Sequence, residues 1–405
     1  MTIPNGSRLR VISVIHPFRP EFSGEGEWWL RMIPLLRQRG VDVEIMTTVP
    51  ASAPGVATAV EDDIVVHRVL PDPRMPAYPG RIAALLRSLR QDRSRFNMAL
   101  FHSTNYDAVY ASCLAGRALG WKTIYKMTLH RADDLASIRA TGRFGRVRAA
   151  SIALADGFIS MSKVMIGRYE GRRFLRDRLL VVPQGVDTTR FSPADPGERA
   201  RLRASLQLSP DARVALFCGA VIYRKGVDIL IDAWRAIKAR VPGAVLLLAG
   251  PNHHGGLDEP DFIQFSAEIE RRIGALGFTD SVRLLGYRAD TERLYRAADL
   301  FVFPSRNEGW GTVISEAMAS GLPCVVSPMD GIGDEHIEHG RDGLIVRTGD
   351  PSDYASAIAG LLNDDAQRHV LGGRARTRIV ERVAMDLVAD KYAGFFRQIA
   401  AGQAA

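Results

Sequence analysis

Cysteine is scarce in this chain. The three in its 405 residues, Cys113, Cys218 and Cys324, stand far apart and form no ligand-spaced pair. That argues for a reducing compartment and against both a disulfide framework and a zinc site. Each lies in an apolar setting, where an inert buried thiol is expected. Long apolar runs are missing as well: none approaches the roughly 20 residues that span a bilayer. Behind the basic residues near the start, Val11–Ile15 has only strand length and His16-Pro17 stops it. A secretory signal is therefore not expected, and a cytoplasmic location is. The chain also lacks a zinc finger, a single-strand aromatic platform, short repeats and low-complexity tracts, which removes the recognisable nucleic-acid modules.

What is present is an ordinary soluble composition, 46% hydrophobic and 24% charged, with a net charge of +8 and a pI near 9.6. The excess of cations favours an anionic partner, a nucleotide-linked substrate, an anionic lipid surface or nucleic acid, and charge alone does not choose among them; the missing modules weigh against nucleic acid. Four hundred residues exceed one ordinary core, and two α/β domains are the natural division. Strand-like apolar runs alternate with helical patterns, the signature of parallel sheets with crossover helices. The first series is Leu9–Ile15, Val41–Thr47, Ile64–Leu70, Met98–His102, Thr123–Met127, Gly157–Met161 and Leu179–Pro183. It breaks at the Pro-rich stretch Phe191–Pro196. The second series is Val214–Cys218, Ala244–Ala249, Val282–Leu285, Leu300–Pro304, Cys324–Ser327 and Leu344–Val346. The expected fold is α/β, two Rossmann-like doubly wound parallel sheets over 1–192 and 193–384. The last stretch, 385–405, has no partner strand and is expected to pack back on the first domain.

In such sheets ligands bind beyond the carboxyl ends of the strands. Two segments there concentrate chemistry. One is Glu308-Gly-Trp-Gly-Thr-Val-Ile-Ser-Glu316, where a strand precedes the loop and Thr312 opens a helix that Gly321 and Pro323 stop. Glu308 then lies before the helix and Glu316 about one turn inside. Gly309 and Gly311 let backbone approach a ligand, and the N–H groups of the helix start favour phosphate. Carboxylates beside them suit sugar hydroxyls. Standing alone, Glu316 is equally a helix-dipole partner and Glu308 a loop charge. The surrounding glycines, strand and helix stop favour the binding reading.

The other segment is Phe217-Cys-Gly219-Ala-Val-Ile-Tyr-Arg224-Lys225-Gly226, followed by Val227, Leu230, Ile231 and Trp234 at helical spacing. A bare Arg-Lys pair is a solvated dipeptide, but this one stands at a strand-to-helix mouth, where a diphosphate meets two cations and backbone donors. The loop matches neither the GxxxxGK[ST] nor the GxGxxG pattern. No Asp-x-Asp metal clamp follows a strand, so no metal and no cofactor are expected.

These segments resemble the retaining glycosyltransferases of family 4, which have the GT-B fold of two Rossmann-like domains facing a central cleft. The resemblance covers most of the chain. It implies an N-terminal acceptor-binding domain and a C-terminal donor-binding domain. Val181-Val-Pro-Gln184-Gly-Val-Asp187-Thr-Thr-Arg-Phe191 is similar to the family's interdomain stretch, with Gln184 where Asn is usual. By resemblance Arg224 and Lys225 bind the diphosphate, Glu308 the donor sugar's hydroxyls, and Glu316 the nucleotide ribose. Trp310, Gly311, Thr312 and Val313 supply backbone contacts. Ser23-Gly24 stands where the family has a Gly-Gly loop, and Pro34 should kink or shorten the helix after it. His130, after Thr123–Met127, resembles the histidine placed near the anomeric carbon. His102 either lines the acceptor side or caps its strand. Gly250-Pro-Asn252 and Gly286-Tyr-Arg288 are candidates for flanking the base. Gly331-Ile-Gly-Asp-Glu335 departs from the usual Gly-Ile-Pro-Glu form but keeps its acid.

The resemblance implies a nucleotide-diphosphate sugar as substrate and transfer with retention to an acceptor hydroxyl. Domain closure over the donor is expected. A lipid-linked saccharide in cell-surface polysaccharide or glycolipid assembly is the favoured acceptor, reached by peripheral contact with the anionic inner leaflet. Loops 71–79 and 139–148 are candidates for acceptor specificity; the latter, with Arg139, Arg143, Arg146 and Arg148, reads by default as a solvated basic turn and alternatively as a patch that touches phosphate head groups or an anionic acceptor. A non-catalytic sugar-nucleotide-binding protein and an epimerase of the same architecture are the alternatives.

Overall fold

A computed structural model describes residues 8–402 apart from 17, 20–22, 49–57, 71–76, 104–112, 114, 170–176, 257–258 and 348. The chain divides into two compact units: Met1–Gln184 with Asp386–Ala405, and Gly185–Met385.

The first unit holds β1 (Leu9–Val14), β2 (Val41–Thr48), β3 (Thr58–Glu61), β4 (Ile64–Val69), β5 (Met98–His102), β6 (Lys122–Met127), β7 (Gly157–Ser160) and β8 (Leu179–Val181). Their order is β3-β4-β2-β1-β5-β6-β7-β8. All neighbours are parallel except the β3–β4 hairpin. The sequence rhythm misses β3, whose four residues Thr-Ala-Val-Glu never become buried, so they carry no apolar run. Along β1 the two faces separate, with Ile12 and Val14 packing into a cluster with Phe101, Tyr125, Phe158, Leu85 and Leu89. Each such side chain contributes about 1.5–3 kcal/mol on burial.

The helix Gly24–Gln38 follows β1 and runs through Pro34 without stopping. The expected shortening does not occur. An interior proline costs ~3 kcal/mol, and burial of Trp28, Trp29, Met32, Ile33 and Leu36 on both sides of it offsets that cost. The C-terminal helix Met385–Ala401 packs against this one. Tyr392 lies 5.8 Å from the rings of both Trp28 and Trp29, and Arg39 pairs with Asp390 at 2.6 Å.

The second unit holds β9 (Arg213–Cys218), β10 (Ala244–Ala249), β11 (Val282–Gly286), β12 (Leu300–Phe303), β13 (Cys324–Val326) and β14 (Leu344–Ile345). They form an all-parallel sheet in the order β11-β10-β9-β12-β13-β14. The strand order reverses between β9 and β12, the chain winding outward on one side from β9 to β11 and on the other from β12 to β14, which makes their carboxyl ends the switch point where ligands bind in doubly wound sheets. The helix Val227–Arg240 buries Val227, Leu230, Ile231 and Trp234, the stripe its spacing predicts. All three cysteines are buried, and burial raises their thiol pKa values. They are inert, as their settings imply. Among the described residues no helix is long and apolar enough to cross a membrane.

Candidate active site

The switch point of the second unit brings the basic pair and the first acid together. After β9 a short 3-10 turn, Tyr223–Lys225, ends at Gly226 with φ 73°. A side chain there would meet the carbonyl oxygen of Pro304 at 2.1 Å, so only glycine lets the loop after β9 press on the loop after β12. Arg306 N–H donates to the Arg224 carbonyl at 2.8 Å and closes the contact. Lys225 Nζ donates to Glu308 Oε1 at 2.6 Å, Arg224 Nη1 at 3.2 Å and Ser305 Oγ at 2.6 Å. Arg224 also holds the Asn307 carbonyl at 2.8 Å.

Glu308 is 6% exposed. Among the described residues, every hydrogen bond to its carboxylate converges on Oε1, and Oε2 receives none. Burial pushes its pKa up, but the nearby charges of Lys225 and Arg224 and their hydrogen bonds prevail and hold it below the usual range. Burial lowers the Lys225 pKa, and Glu308 partly restores it. The result is an anion with one oxygen anchored, beside a guanidinium still over a third exposed.

Gly311, at φ 83°, starts the helix Thr312–Ala319, whose first turn has no side-chain cap at Gly311. Trp310 is fixed from two sides: its indole N–H donates to Ser315 Oγ at 3.2 Å, and its carbonyl lies 2.6 Å from His336 Nε2. Burial depresses the His336 pKa to about 4, so the ring is neutral and acts through hydrogen bonding. Sequence reasoning missed His336, although it follows directly on the Gly331–Glu335 segment. Glu316 lies one turn into the helix, buried, and the Tyr295 hydroxyl is 3.0 Å from its Oε2. Glu335 sits in the helix Ile332–His336, half-buried. Tyr287 is exposed, and Arg288 is engaged by Asp290 at 2.8 Å.

In the first unit Ser23 is the N-cap of Gly24–Gln38. It is extended at φ −142°, with its Oγ accepting the Gly26 N–H at 3.1 Å. No glycine is required at a cap of that conformation, which explains why serine replaces one. Gly24 is exposed with open space around its Cα. Residues 71–76 of the 71–79 loop lie outside the described residues.

Next to Ser23 stands a charge network that the sequence reading did not find. Glu25 Oε1 accepts from Lys126 Nζ at 2.5 Å, His102 Nδ1 at 2.9 Å and Trp29 Nε1 at 3.0 Å. Its Oε2 accepts from Gln184 Nε2 at 2.5 Å. His102 Nε2 lies 2.9 Å from Ser13 Oγ. Lys126 and His102 are fully buried, and the Lys126 ammonium sits 4.5 Å over the Trp28 ring. Burial lowers the His102 pKa despite Glu25, leaving a neutral imidazole. His102 is therefore an internal strut and neither an acceptor-side surface nor a free strand cap. A lysine inside the apolar run of β6 was the readable signal.

His130 occupies the turn after β6, half-buried. Asp133 shapes that turn, its Oδ2 accepting from the N–H groups of Thr128 and Leu129 at 2.9 and 2.7 Å. Farther on, Arg139, Arg143 and Arg146 are exposed beside Phe144 and Val147.

The profile described as Glycosyltransferase Family 4 matches residues 23–190, and that described as Glycosyl transferases group 1 matches residues 212–364. The chain is 30% identical to the D-inositol 3-phosphate glycosyltransferase of Salinispora arenicola, across 92% of this chain and 88% of that one. It belongs to glycosyltransferase family 4. A further relative, the D-inositol 3-phosphate glycosyltransferase of Nocardia farcinica, is 29% identical across 91% of this chain and 84% of its own. Among solved structures, Anabaena Alr3699/HepE in complex with UDP and glucose superimposes with a TM-score of 0.76 at 21% identity, covering 96% of this chain and 99% of that one. WaaG, a glycosyltransferase involved in lipopolysaccharide biosynthesis, gives 0.69 at 18% identity, covering 95% and 98%. The fold is GT-B, and the family 4 chain is a hexosyltransferase-type enzyme that moves a sugar from a nucleotide-sugar donor.

Proposed function

We propose that this enzyme transfers a hexose from a UDP-linked donor, with retention, to a hydroxyl of a lipid-linked saccharide. The observation that carries the reading is the half-anchored Glu308 at the β9–β12 switch point, with Oε2 left to accept from a sugar hydroxyl while Arg224 and Lys225 meet the diphosphate. The uracil base is inferred from the UDP held by the Anabaena neighbour.

As the bond from the anomeric carbon to the diphosphate breaks, negative charge grows on the leaving oxygen. Arg224, Lys225 and the N–H groups at Thr312 stabilise it by electrostatics fixed beforehand. Glu316 orients the ribose. Gly24, Gly219, Gly309, Trp310, Gly311 and Val313 give backbone contacts. The acceptor hydroxyl attacks from the face the diphosphate leaves and passes its proton to the departing phosphate oxygen, and the family resemblance gives His130 its role near the anomeric carbon. The exposed Arg139, Arg143, Arg146, Phe144 and Val147 combine cations with apolar side chains, the composition of a surface that rests on anionic lipid. The relatives' names support a second reading, a soluble phosphate-bearing acceptor such as D-inositol 3-phosphate.

Ligand-induced melting against UDP, GDP, ADP and their hexose conjugates tests the donor half. A ligand at 100 times its Kd adds about 2.7 kcal/mol, so UDP should raise the Tm of the wild type and lose that effect in Glu316→Ala and Lys225→Ala. No shift with any nucleotide at millimolar concentration would refute the donor site. Product formation with lipid-linked saccharide against D-inositol 3-phosphate separates the two acceptors, and co-sedimentation with anionic vesicles checks the surface.

A further inference from the structure

The loop after β10 carries a feature that sugar transfer does not use. His253 and His254 are adjacent on the turn Asn252–Gly255, and Glu270 faces them from the helix Pro260–Ala275. His253 Nε2 is 2.7 Å and His254 Nε2 3.1 Å from the same oxygen, Glu270 Oε2. One ligating atom from each of the three residues lies within 4.8 Å of the other two. Among the described residues this is the one such cluster of histidine, cysteine and carboxylate groups.

From this geometry we infer that His253, His254 and Glu270 form a binding site for a divalent transition metal of the zinc class. The chemistry of the set fits: two imidazoles and one carboxylate are ligands that zinc takes. A tetrahedral ion with bonds of about 2.0–2.1 Å holds its ligand atoms roughly 3.3 Å apart. The two nitrogen-to-oxygen separations, 3.1 and 2.7 Å, fall short of that by about 0.2 and 0.6 Å, so the ligands open slightly to take the ion. His254 is mostly exposed, which leaves the fourth position to water.

The ligands are also held in advance. His253 Nδ1 lies 3.1 Å from Ser266 Oγ, a fully buried hydroxyl on the helix that bears Glu270. In the ligating tautomer Nδ1–H donates there and turns Nε2 towards the ion. The His253 N–H donates to the same oxygen at 3.1 Å, and the His254 N–H donates to Asn252 Oδ1 at 2.9 Å. Both histidines therefore sit on backbone that is fixed without any ion. The turn is tied in addition to the loop that leads to Arg224. Val221 N–H donates to the Pro251 carbonyl at 2.9 Å, and Gly250 packs so closely on Gly219 that a Cβ would lie 2.1 Å from its carbonyl oxygen. An ion here clamps the β10 loop to the following helix and stiffens one wall beside the basic pair. No step of transfer runs through it.

The test is titration of chelator-stripped, full-length protein with Zn²⁺ by calorimetry, with Co²⁺ as a visible-absorption probe of ligand geometry. We expect one saturable site per chain and a Co²⁺ spectrum of low coordination number. His254→Ala and Glu270→Gln should each weaken binding at least tenfold, and Ser266→Ala about tenfold, within the roughly 10–100-fold range seen when a ligand's supporting contact is lost. His254→Ala removes an exposed side chain, so an unchanged metal-free Tm shows that the fold is intact. Absence of saturable binding overturns the assignment, and so does binding that is unchanged in both ligand variants, which would place the ion on other histidines. Neither result bears on nucleotide binding, which is read separately.

Discussion

Each of the two sheets gathers a glutamate and a lysine at the carboxyl ends of its central strands, and the two pairs have opposite characters. In the first unit Glu25 spends both oxygens, Oε1 on Lys126, His102 and Trp29 and Oε2 on Gln184. In the second, Glu308 spends only Oε1, and its cations Arg224 and Lys225 are 38% and 15% exposed where Lys126 is 0%. A buried ion pair with both carboxylate oxygens engaged is a structural pin. The same pair with one oxygen and one partly exposed cation left over is what the proposed donor site requires. What separates structure from function here is how many hydrogen bonds remain unmade.

The largest test of that contrast compares two lysine deletions. Lys126→Met strands the Glu25 carboxylate in a closed site and should cost about 3–5 kcal/mol, the usual effect of breaking a buried pair. Denaturant midpoints would show it, with kcat/KM of the folded protein within tenfold of wild type. Lys225→Met leaves Glu308 with Arg224 and Ser305. It should cost no more than about 1–2 kcal/mol of stability while lowering kcat/KM about 10²–10³-fold. Equal stability losses with equal activity losses would erase the distinction.

Acid offers a second, smaller separation. Burial would raise the Glu25 pKa, but Lys126 and the hydrogen-bonded His102 bring it from 4.5 down to about 2. A carboxylate whose folded pKa is depressed contributes stability above its unfolded value and loses it as pH falls towards the folded one. Stability should therefore drop between about pH 4.5 and pH 2, by about 3 kcal/mol from this group. His102, buried and neutral with a lowered pKa, acts in the same direction, beginning below its unfolded value of 6.5. Glu25→Gln should flatten the Glu25 part of the decline in urea titrations at stepped pH. An unchanged acid limb would show that Glu25 is not the pin described here.

Much of this was legible in the sequence, and the gaps have physical causes. Parallel strands buried on both faces give continuous apolar runs, so β1, β5, β9, β10 and β12 were found within a residue or so. β3 has no such run because it is an exposed antiparallel edge. Arg224, Lys225 and Glu308 could be singled out because each follows a strand at a fixed place in the βα unit. The Glu25 network could not, since its partners come from positions 77, 101 and 159 residues away and no local spacing encodes that meeting. Pro34 did not shorten its helix, because tertiary packing outweighed the local cost of an interior proline.

The smallest expected effect is also the cleanest comparison, because it removes one hydroxyl from each network. Ser13 Oγ supports His102, which supports Glu25. Ser305 Oγ contacts Glu308 directly at 2.6 Å. Both serines are fully buried, so each alanine variant should lose about 1 kcal/mol of stability, the net worth of a typical buried hydrogen bond. Their kinetics should differ. With Ser13→Ala the missing bond ends inside a closed cluster, and kcat and KM stay at wild-type values. With Ser305→Ala the Glu308 carboxylate can rotate about its remaining contacts to Arg224 and Lys225, and Oε2 loses its fixed aim. The expected result is a several-fold fall in kcat with little change in nucleotide affinity, because the sugar and not the diphosphate is misplaced. A kinetic loss in Ser13→Ala as large as that in Ser305→Ala would mean that the closed network reaches the reacting groups after all.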